Sequence, residues 1–230
     1  MVRPILHTPP LRSCLVLGLL LLHGCKTAPA PQPVQPAASG AEEDVPGWMH
    51  TASPADQARL GQLNGLWRQA LGEAGKGGFR RAVAAEGRLL EPRAALPRPQ
   101  PAPGSYMCRL IQLGSTVARG RAFSASSRSD FCYVGVDDEG RLWLAKQTGA
   151  LRRQGYLWDD WNPNRLVFLG SLASGERDAP PTYGSMPARD RVGVMERIGP
   201  LRFRLVTPSP GGRFKLEVLE LTPAPTQNEE

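Results

Sequence analysis

The sequence predicts a mainly β protein: an eight-stranded antiparallel up-and-down barrel, lipocalin-like in architecture, that follows a helical hairpin. From Ser105 onward, apolar and polar residues alternate with a period of two, which is typical of strands with one buried face. Short runs rich in Gly, Pro, Asn and Asp separate these stretches, so most connections are predicted to be hairpins. A β-sandwich built from the same strands is the alternative fold.

Eight segments satisfy the strand pattern and fill a predicted β domain over residues 105–222. The strands cover residues 105–113, 131–136, 141–147, 152–159, 165–173, 192–198, 201–207 and 213–221. Two longer gaps, at residues 114–130 and 174–191, are predicted to be loops, and loops of that length are usually functional or mobile. In the last hairpin, pairing Phe203 with Leu216 and Arg202 with Glu217 would place apolar side chains on one face and an ion pair on the other.

The predicted helical hairpin covers residues 53–90. Ser53 followed by Pro54 is a strong helix start, because the Ser hydroxyl can accept a hydrogen bond from the first turn. Apolar residues then recur every three or four positions up to Gly75 and form one helix face: Leu60, Leu63, Trp67, Leu71 and Ala74. A second, weaker helix is predicted over residues 79–90, and we expect both helices to pack against the β domain.

The N-terminal residues predict export. Residues 1–12 carry two arginines and no acid, and residues 13–22 form an apolar core that is too short to span a membrane as a helix. This pattern is typical of a signal peptide, predicted at residues 1–24. Residues 22–25 read Leu-His-Gly-Cys and resemble the bacterial lipobox, which implies a lipid anchor on Cys25.

Three other stretches are too rich in proline or too polar to form a core. Residues 25–52 are predicted to be a disordered, Pro-rich tether after the lipidated Cys25. Lys26 follows Cys25, at the position where an Asp usually retains lipoproteins in the inner membrane. We therefore expect the protein to be anchored at the periplasmic face of the outer membrane. A soluble periplasmic or secreted protein is the alternative. Residues 91–104 are predicted to be a Pro-rich linker and residues 223–230 a disordered tail.

Two cysteines remain once Cys14 leaves with the signal peptide and Cys25 is taken by lipid. Cys108 and Cys132 both lie in predicted strands, and an exported protein meets an oxidising compartment. We therefore predict a disulfide between them.

Charge and residue content exclude several classes of function. The net charge of +7 falls to +5 without the two arginines of the signal peptide, which is too mild and too scattered to predict nucleic-acid binding. The predicted β domain contains no His, so it cannot build a Ser-His-Asp triad, a Cys-His pair or a His-based zinc site. No metal, cofactor or catalytic residue is predicted.

Two groups of residues are candidate sites. By alternation Glu196 shares the face of Val192 and Ile198, and a Glu inside a barrel must be paired or protonated. Arg152 or Arg165 is expected to pair with it. This polar cluster, which is either a buried ion pair or a ligand contact at the barrel mouth, comprises Arg152, Arg165, Asp190, Glu196 and Arg197.

The second group is a candidate cleft formed by Trp158, Asp159, Asp160 and Trp161. Tryptophans beside carboxylates can form a sugar-binding or glycosidase-like site. The alternative is that the tryptophans only cover one end of the core.

Long motifs in order along the chain resemble one family. They are DQARLGQLNGLWRQAL at 56–71, GSYMCRLIQLG at 104–114, FCYVGV at 131–136, KQTG at 146–149, RLVFLGSLASGE at 165–176, YG at 183–184, ARDRVGVMERIG at 188–199 and RFRLVTP at 202–208. Together they are similar to an uncharacterised family of exported Gram-negative proteins, the domain of unknown function DUF4893. The resemblance implies export and a shared fold, but it implies no activity.

These observations favour a non-enzymatic binding module, held at the membrane by a lipid anchor, that takes a small ligand or another envelope protein. The first alternative is a carboxylate-based hydrolase of envelope glycan that uses Asp159, Asp160, Asp190 and Glu196. A structural envelope protein is the second alternative.

Overall fold

The computed structural model describes residues 45–175 and 177–225, which form one antiparallel sheet and a set of short helices. The predicted signal peptide, the lipidated Cys25 and most of the predicted tether lie outside the described residues. The strands are β1 Gly104–Ser115, β2 Phe123–Ala125, β3 Asp130–Val136, β4 Leu142–Lys146, β5 Arg153–Asp159, β6 Leu166–Leu172, β7 Asp190–Gly199, β8 Arg202–Pro208 and β9 Phe214–Pro223.

Eight of these strands close into the predicted up-and-down barrel. From β3 to β9 each strand pairs with the next one along the chain, and β1 pairs with β3 on one side and with β9 on the other. The last pairing joins the two ends of the sheet, so the barrel prediction is confirmed and the sandwich is excluded. The ninth strand, β2, lies in the predicted loop 114–130 and pairs only with the end of β1.

The barrel interior alternates with an outer face that is also largely buried. Phe168 and Leu205 point into the interior, whereas their neighbours Val167 and Val206 belong to a second core on the outside. Because apolar residues occupy both faces, alternation does not identify the inward one. The predicted register of the last hairpin is therefore wrong: Phe203 pairs with Leu221, not with Leu216.

The helical segment is divided into more, shorter helices than the two predicted. They are α1 Gly47–Thr51, α2 Pro54–Gly61, α3 Leu63–Lys76 and α4 Arg80–Ala85, followed by a 3₁₀-helix at Gly87–Leu90. The Ser53 hydroxyl accepts a hydrogen bond from the Asp56 amide, so the predicted helix start is confirmed. The helix is divided at Gln62, and α1 lies within the predicted tether, where Trp48 is buried. Gly87 separates the two parts of the second predicted helix by taking a left-handed φ of 54°.

These helices pack on the outer face of the barrel, as expected. Trp67 and Ala70 of α3 share one buried cluster with Ile111 of β1 and Val218 of β9. The predicted linker 91–104 also lies against the barrel, since Leu96 forms a β-bridge with Arg197. Among the residues that the structure describes, no helix has the length and hydrophobicity to cross a membrane.

The predicted disulfide between Cys108 and Cys132 is confirmed. It joins β1 to β3 across a sequence separation of 24 residues. Both cysteines are almost fully buried in the interior core, beside residues such as Tyr106 and Phe203. The bond therefore links two neighbouring strands within the interior core of the barrel.

Replacing Cys108 and Cys132 together by alanine should lower the free energy of unfolding by about 3.5 kcal/mol, because the open chain gains loop entropy when it unfolds. Urea unfolding followed by circular dichroism measures the loss. The unmodified protein should lose a similar amount when a reductant is added, whereas the double variant should not respond to reductant. Equal urea midpoints for the oxidised protein and the variant would contradict this prediction.

Candidate functional site

Four connections meet at one end of the barrel, because successive antiparallel strands alternate in direction. They are residues 116–129, 147–152, 173–189 and 209–213. Between them lies a cavity of about 680 Å³, which we call the mouth cavity; its lining includes Arg121, Leu172, Arg189, Arg191, Arg213 and Glu217. This volume lies within the range of roughly 300–1,000 Å³ typical of small-molecule sites.

Arg191 is the most unusual residue of the mouth cavity. Its side chain points inward from β7, and only 8% of the residue is exposed. Nη1 donates hydrogen bonds to the carbonyls of Asp190 at 2.7 Å and Ala188 at 3.4 Å. Nε is buried and has no partner among the described residues. Burial lowers the pKa of Arg191. Keeping this buried guanidinium charged therefore costs free energy, which its existing contacts do not fully offset.

Glu217 lines the mouth cavity and pairs with Arg153, which is not itself a lining residue; we call this buried pair the floor of the cavity. Arg153 Nη2 lies 2.6 Å from a carboxylate oxygen of Glu217, and both residues are buried. Arg153 Nη1 donates to the Thr207 hydroxyl at 3.0 Å, and the Ser209 hydroxyl donates to Glu217 at 2.9 Å. Burial by itself would raise the pKa of Glu217, but Arg153 and Ser209 hold it below its ordinary value. The floor is therefore an internally neutral ion pair.

Three further arginines stand around the rim. Arg121 donates to the Phe123 carbonyl at 2.9 Å, and its guanidinium lies 5.7 Å from the ring centroid of Phe79. Arg189 donates to the Ala173 carbonyl at 3.0 Å, and Arg213 is exposed. Since Arg153 already balances Glu217, the lining of the mouth cavity carries a surplus of positive charge.

The β4–β5 hairpin at the mouth is held in an unusual shape. Leu151, which lines the mouth cavity, has a left-handed φ of 54°, a conformation that is strained for a bulky side chain. Buried Lys146 fixes the turn by donating to the carbonyls of Thr148 and Ala150, while its ammonium pairs with Asp130 at 2.6 Å. A Cβ at Gly149 would overlap the Asp130 carboxyl, so only glycine fits there.

The predicted polar cluster is not assembled as expected. Glu196 lies on the outer face of the barrel, where Arg204 pairs with it at 2.6 Å. Arg152 instead donates to the carbonyls of Gly175 and Asp178, and Arg165 pairs with Asp160 at 2.5 Å. The expected pairing of Glu196 with Arg152 or Arg165 is wrong, because the face of Val192 and Ile198 is covered by helices and does not face the interior.

The other two members of that cluster are also engaged elsewhere. Arg197 donates to the Pro97 carbonyl at 2.5 and 2.9 Å. Asp190 accepts hydrogen bonds from the Gly184 amide, and burial raises its pKa. Two of the five predicted residues are sequence neighbours of lining residues: Asp190 lies between Arg189 and Arg191, and Arg152 follows Leu151.

The predicted cleft of Trp158, Asp159, Asp160 and Trp161 is a groove of about 580 Å³ beside α1. Asp160 is held by Arg165 at 2.5 Å and by the indole nitrogen of Trp48 at 3.2 Å. Asp190 and Glu196 do not line this groove. A glycosidase needs two working carboxyl groups in one cleft. Since Asp160 is committed to two structural contacts, the arrangement gives the hydrolase hypothesis no support.

The lining of the mouth cavity is rich in arginine hydrogen-bond donors. Among the described residues it contains one carboxylate, Glu217, which is paired with Arg153. Within residues 45–175 and 177–225, no group of three or more His, Cys, Asp or Glu residues is placed to hold a metal ion. Sequence reasoning missed the arginines of the mouth, although Arg121, Arg189 and Arg191 all lie in the two long predicted loops.

Comparison with known families gives one match. A family model described as a domain of unknown function (DUF4893) covers residues 48–221, which is most of the chain. No curated protein and no solved structure gives a significant match. The matched range contains most of α1, the barrel strands as far as Leu221 of β9, and all the lining residues of the mouth cavity.

Proposed function

Because the chain belongs to the DUF4893 family, which is described only as a domain of unknown function, we propose a function from its own barrel. The protein is a non-enzymatic binding module that holds a small ligand in the mouth cavity. The observation that carries this proposal is the cavity of about 680 Å³, enclosed by the longest loops of the barrel. Long loops on a rigid scaffold commonly carry binding residues.

The side chains of the mouth support binding more than catalysis. Arg191 and the rim arginines supply hydrogen-bond donors. Ser209, a potential nucleophile, donates a hydrogen bond to Glu217, but the lowered pKa of Glu217 makes this carboxylate a poor general base. Leu151 adds a strained backbone at the cavity wall, and such strain often accompanies a functional site. These features fit a preformed pocket.

The proposal includes a location. The signal-peptide pattern and the Cys25 lipobox support export and a lipid anchor at the periplasmic face of the outer membrane. The Pro-rich stretch after Cys25 supports a tether that holds the barrel away from the membrane. A ligand-binding barrel at this position would receive molecules that enter the periplasm.

Native mass spectrometry of the full-length protein, gently extracted from its envelope, tests the proposal. We expect an added small-molecule mass on the barrel, besides acyl mass on Cys25. Ala188→Trp fills the mouth cavity and should remove the small-molecule mass, because Ala188 lines that cavity. Ala84→Trp makes the same change on an exposed position of α4 and should keep it. An extracted protein without bound ligand would contradict the binding function.

A further inference from the structure

We infer that the ligand of the mouth cavity is an organic oxyanion with at least two negative charges, carried by phosphoryl or carboxylate groups. This inference rests on the proposed function, since it names the chemical class of the ligand that the module holds. Three independent features of the described residues lead to it: an unpartnered buried guanidinium, a surplus of positive charge and apolar walls.

The first feature is the hydrogen-bonding deficit of Arg191. A buried donor without a partner is uncommon in folded proteins, and an unoccupied ligand position is one explanation for it. Nη1 is already used by the carbonyls of Asp190 and Ala188, so the Nε side of the guanidinium is the side left for a ligand. An oxyanion that contacts Nη2 from the mouth cavity lies beside Nε, and a shift of the side chain that opens Nε completes the bidentate geometry that carboxylate and phosphoryl groups prefer.

The second feature is the charge balance of the lining. Arg121, Arg189, Arg191 and Arg213 line the mouth cavity, against one carboxylate, Glu217. Glu217 contacts Arg153 at 2.6 Å and also interacts electrostatically with Arg191. Among the described residues of the lining, four arginines therefore face a single carboxylate that Arg153 already engages. A ligand with a single negative charge would satisfy Arg191 and leave the rim unbalanced, so the lining favours two or more charges.

The third feature is the space that remains around the charged groups. A cavity of about 680 Å³ is much larger than an inorganic ion requires. Leu172 and Phe214, which are among its lining residues, give it apolar surface. A ligand that fills the mouth cavity thus has an organic body between its anionic groups, or beside them.

Calorimetric titration of the full-length protein with three probes of similar size tests this class. The probes are phenyl phosphate, which carries a phosphoryl dianion, phthalate, which carries two carboxylates, and benzyl alcohol, which is neutral. We expect at least one dianion to bind and benzyl alcohol not to bind. The stronger dianion then identifies the phosphoryl or the carboxylate class, and added salt should weaken it because the contact is ionic.

Variants locate the binding. Arg191→Gln should weaken the bound dianion about tenfold to a hundredfold, because it removes a charge-assisted donor pair. Arg213→Gln should weaken it severalfold, and this exposed rim position is not part of the core. Arg93→Gln removes the same charge from an exposed position outside the mouth cavity and should leave affinity unchanged.

The outcomes separate this inference from the proposed function. A neutral molecule released from the extracted protein, or binding of benzyl alcohol as strong as that of the dianions, overturns the anion class but leaves a binding module. Equal loss of affinity in Arg191→Gln and Arg93→Gln overturns the assigned position. Absence of heat with both dianions overturns the inference, whatever mass the extracted protein carries.

Discussion

Arg204→Met should lower the free energy of unfolding by about 5 kcal/mol and loosen the helical segment from the barrel. Arg204 is fully buried on the outer face of β8, where it pairs with Glu196 at 2.6 Å. The same guanidinium donates to the carbonyls of Leu89 at 2.9 Å and Glu91 at 2.7 Å, and it lies 5.3 Å from the ring centroid of Trp67. Methionine would leave a carboxylate and several buried carbonyls without a donor.

Urea unfolding measures the loss of stability, and limited proteolysis between residues 85 and 104 measures the loosening. Arg202→Met is the matched control, because Arg202 lies two residues earlier on the same face. Its side chain is 36% exposed and pairs with Glu220, so its loss should cost less than about 1 kcal/mol. Similar losses in the two variants would show that Arg204 does not hold the helical segment in place.

The role of Arg204 was not predictable from the pattern of strand β8. Its sequence, RFRLVTP, reads as an alternating strand in which the arginines face water. In the structure helices cover this outer face, so Arg202 lies at the edge of the covered region while Arg204 lies fully within it. Long-range packing decides which strands the helices cover, and this packing cannot be predicted from the periodicity of a single strand.

The barrel itself was predictable because its hairpins are short. Turns such as residues 137–141 leave neighbouring strands little choice except antiparallel pairing, and closure follows when the first and last strands meet. The register of the final hairpin was not predictable, since Leu216 and Leu219 are both buried on opposite faces of β9. Two apolar faces remove the signal that normally fixes which side points inward.

The sequence was sufficient to predict where the mouth cavity lies, but not how its side chains are buried and paired. In an up-and-down barrel, alternate connections lie at the same end, so the predicted loops 114–130 and 174–191 and the turn at 208–212 must meet. Arg121, Arg191 and Arg213 lie in or beside these connections. The burial of Arg191 and its unpartnered Nε depend on side-chain packing, which no pattern along the chain reports.

Glu217→Gln should lower the free energy of unfolding by about 4 kcal/mol, because it leaves the buried Arg153 without a counter-charge. Neither side chain is appreciably exposed, so water cannot replace the lost carboxylate. Urea unfolding near neutral pH measures the effect. Replacing both partners, Arg153 by methionine and Glu217 by leucine, should recover most of the loss, since an apolar pair leaves no unpaired charge. A double variant less stable than Glu217→Gln would contradict this account.

The same ion pair predicts a dependence on pH whose sign follows from the lowered pKa of Glu217. A carboxylate with a depressed pKa in the folded protein contributes stability above its ordinary value of 4.5 and loses it as the pH falls through the depressed value. Unmodified protein should therefore lose more stability between neutral pH and strongly acidic pH than Glu217→Gln, in which this carboxylate is absent. The difference between the two urea-unfolding profiles isolates Glu217 from the other titrating acids. Parallel profiles down to strongly acidic pH would mean that Arg153 and Ser209 do not stabilise its ionised form, and the neutral floor of the mouth cavity would lose its physical basis.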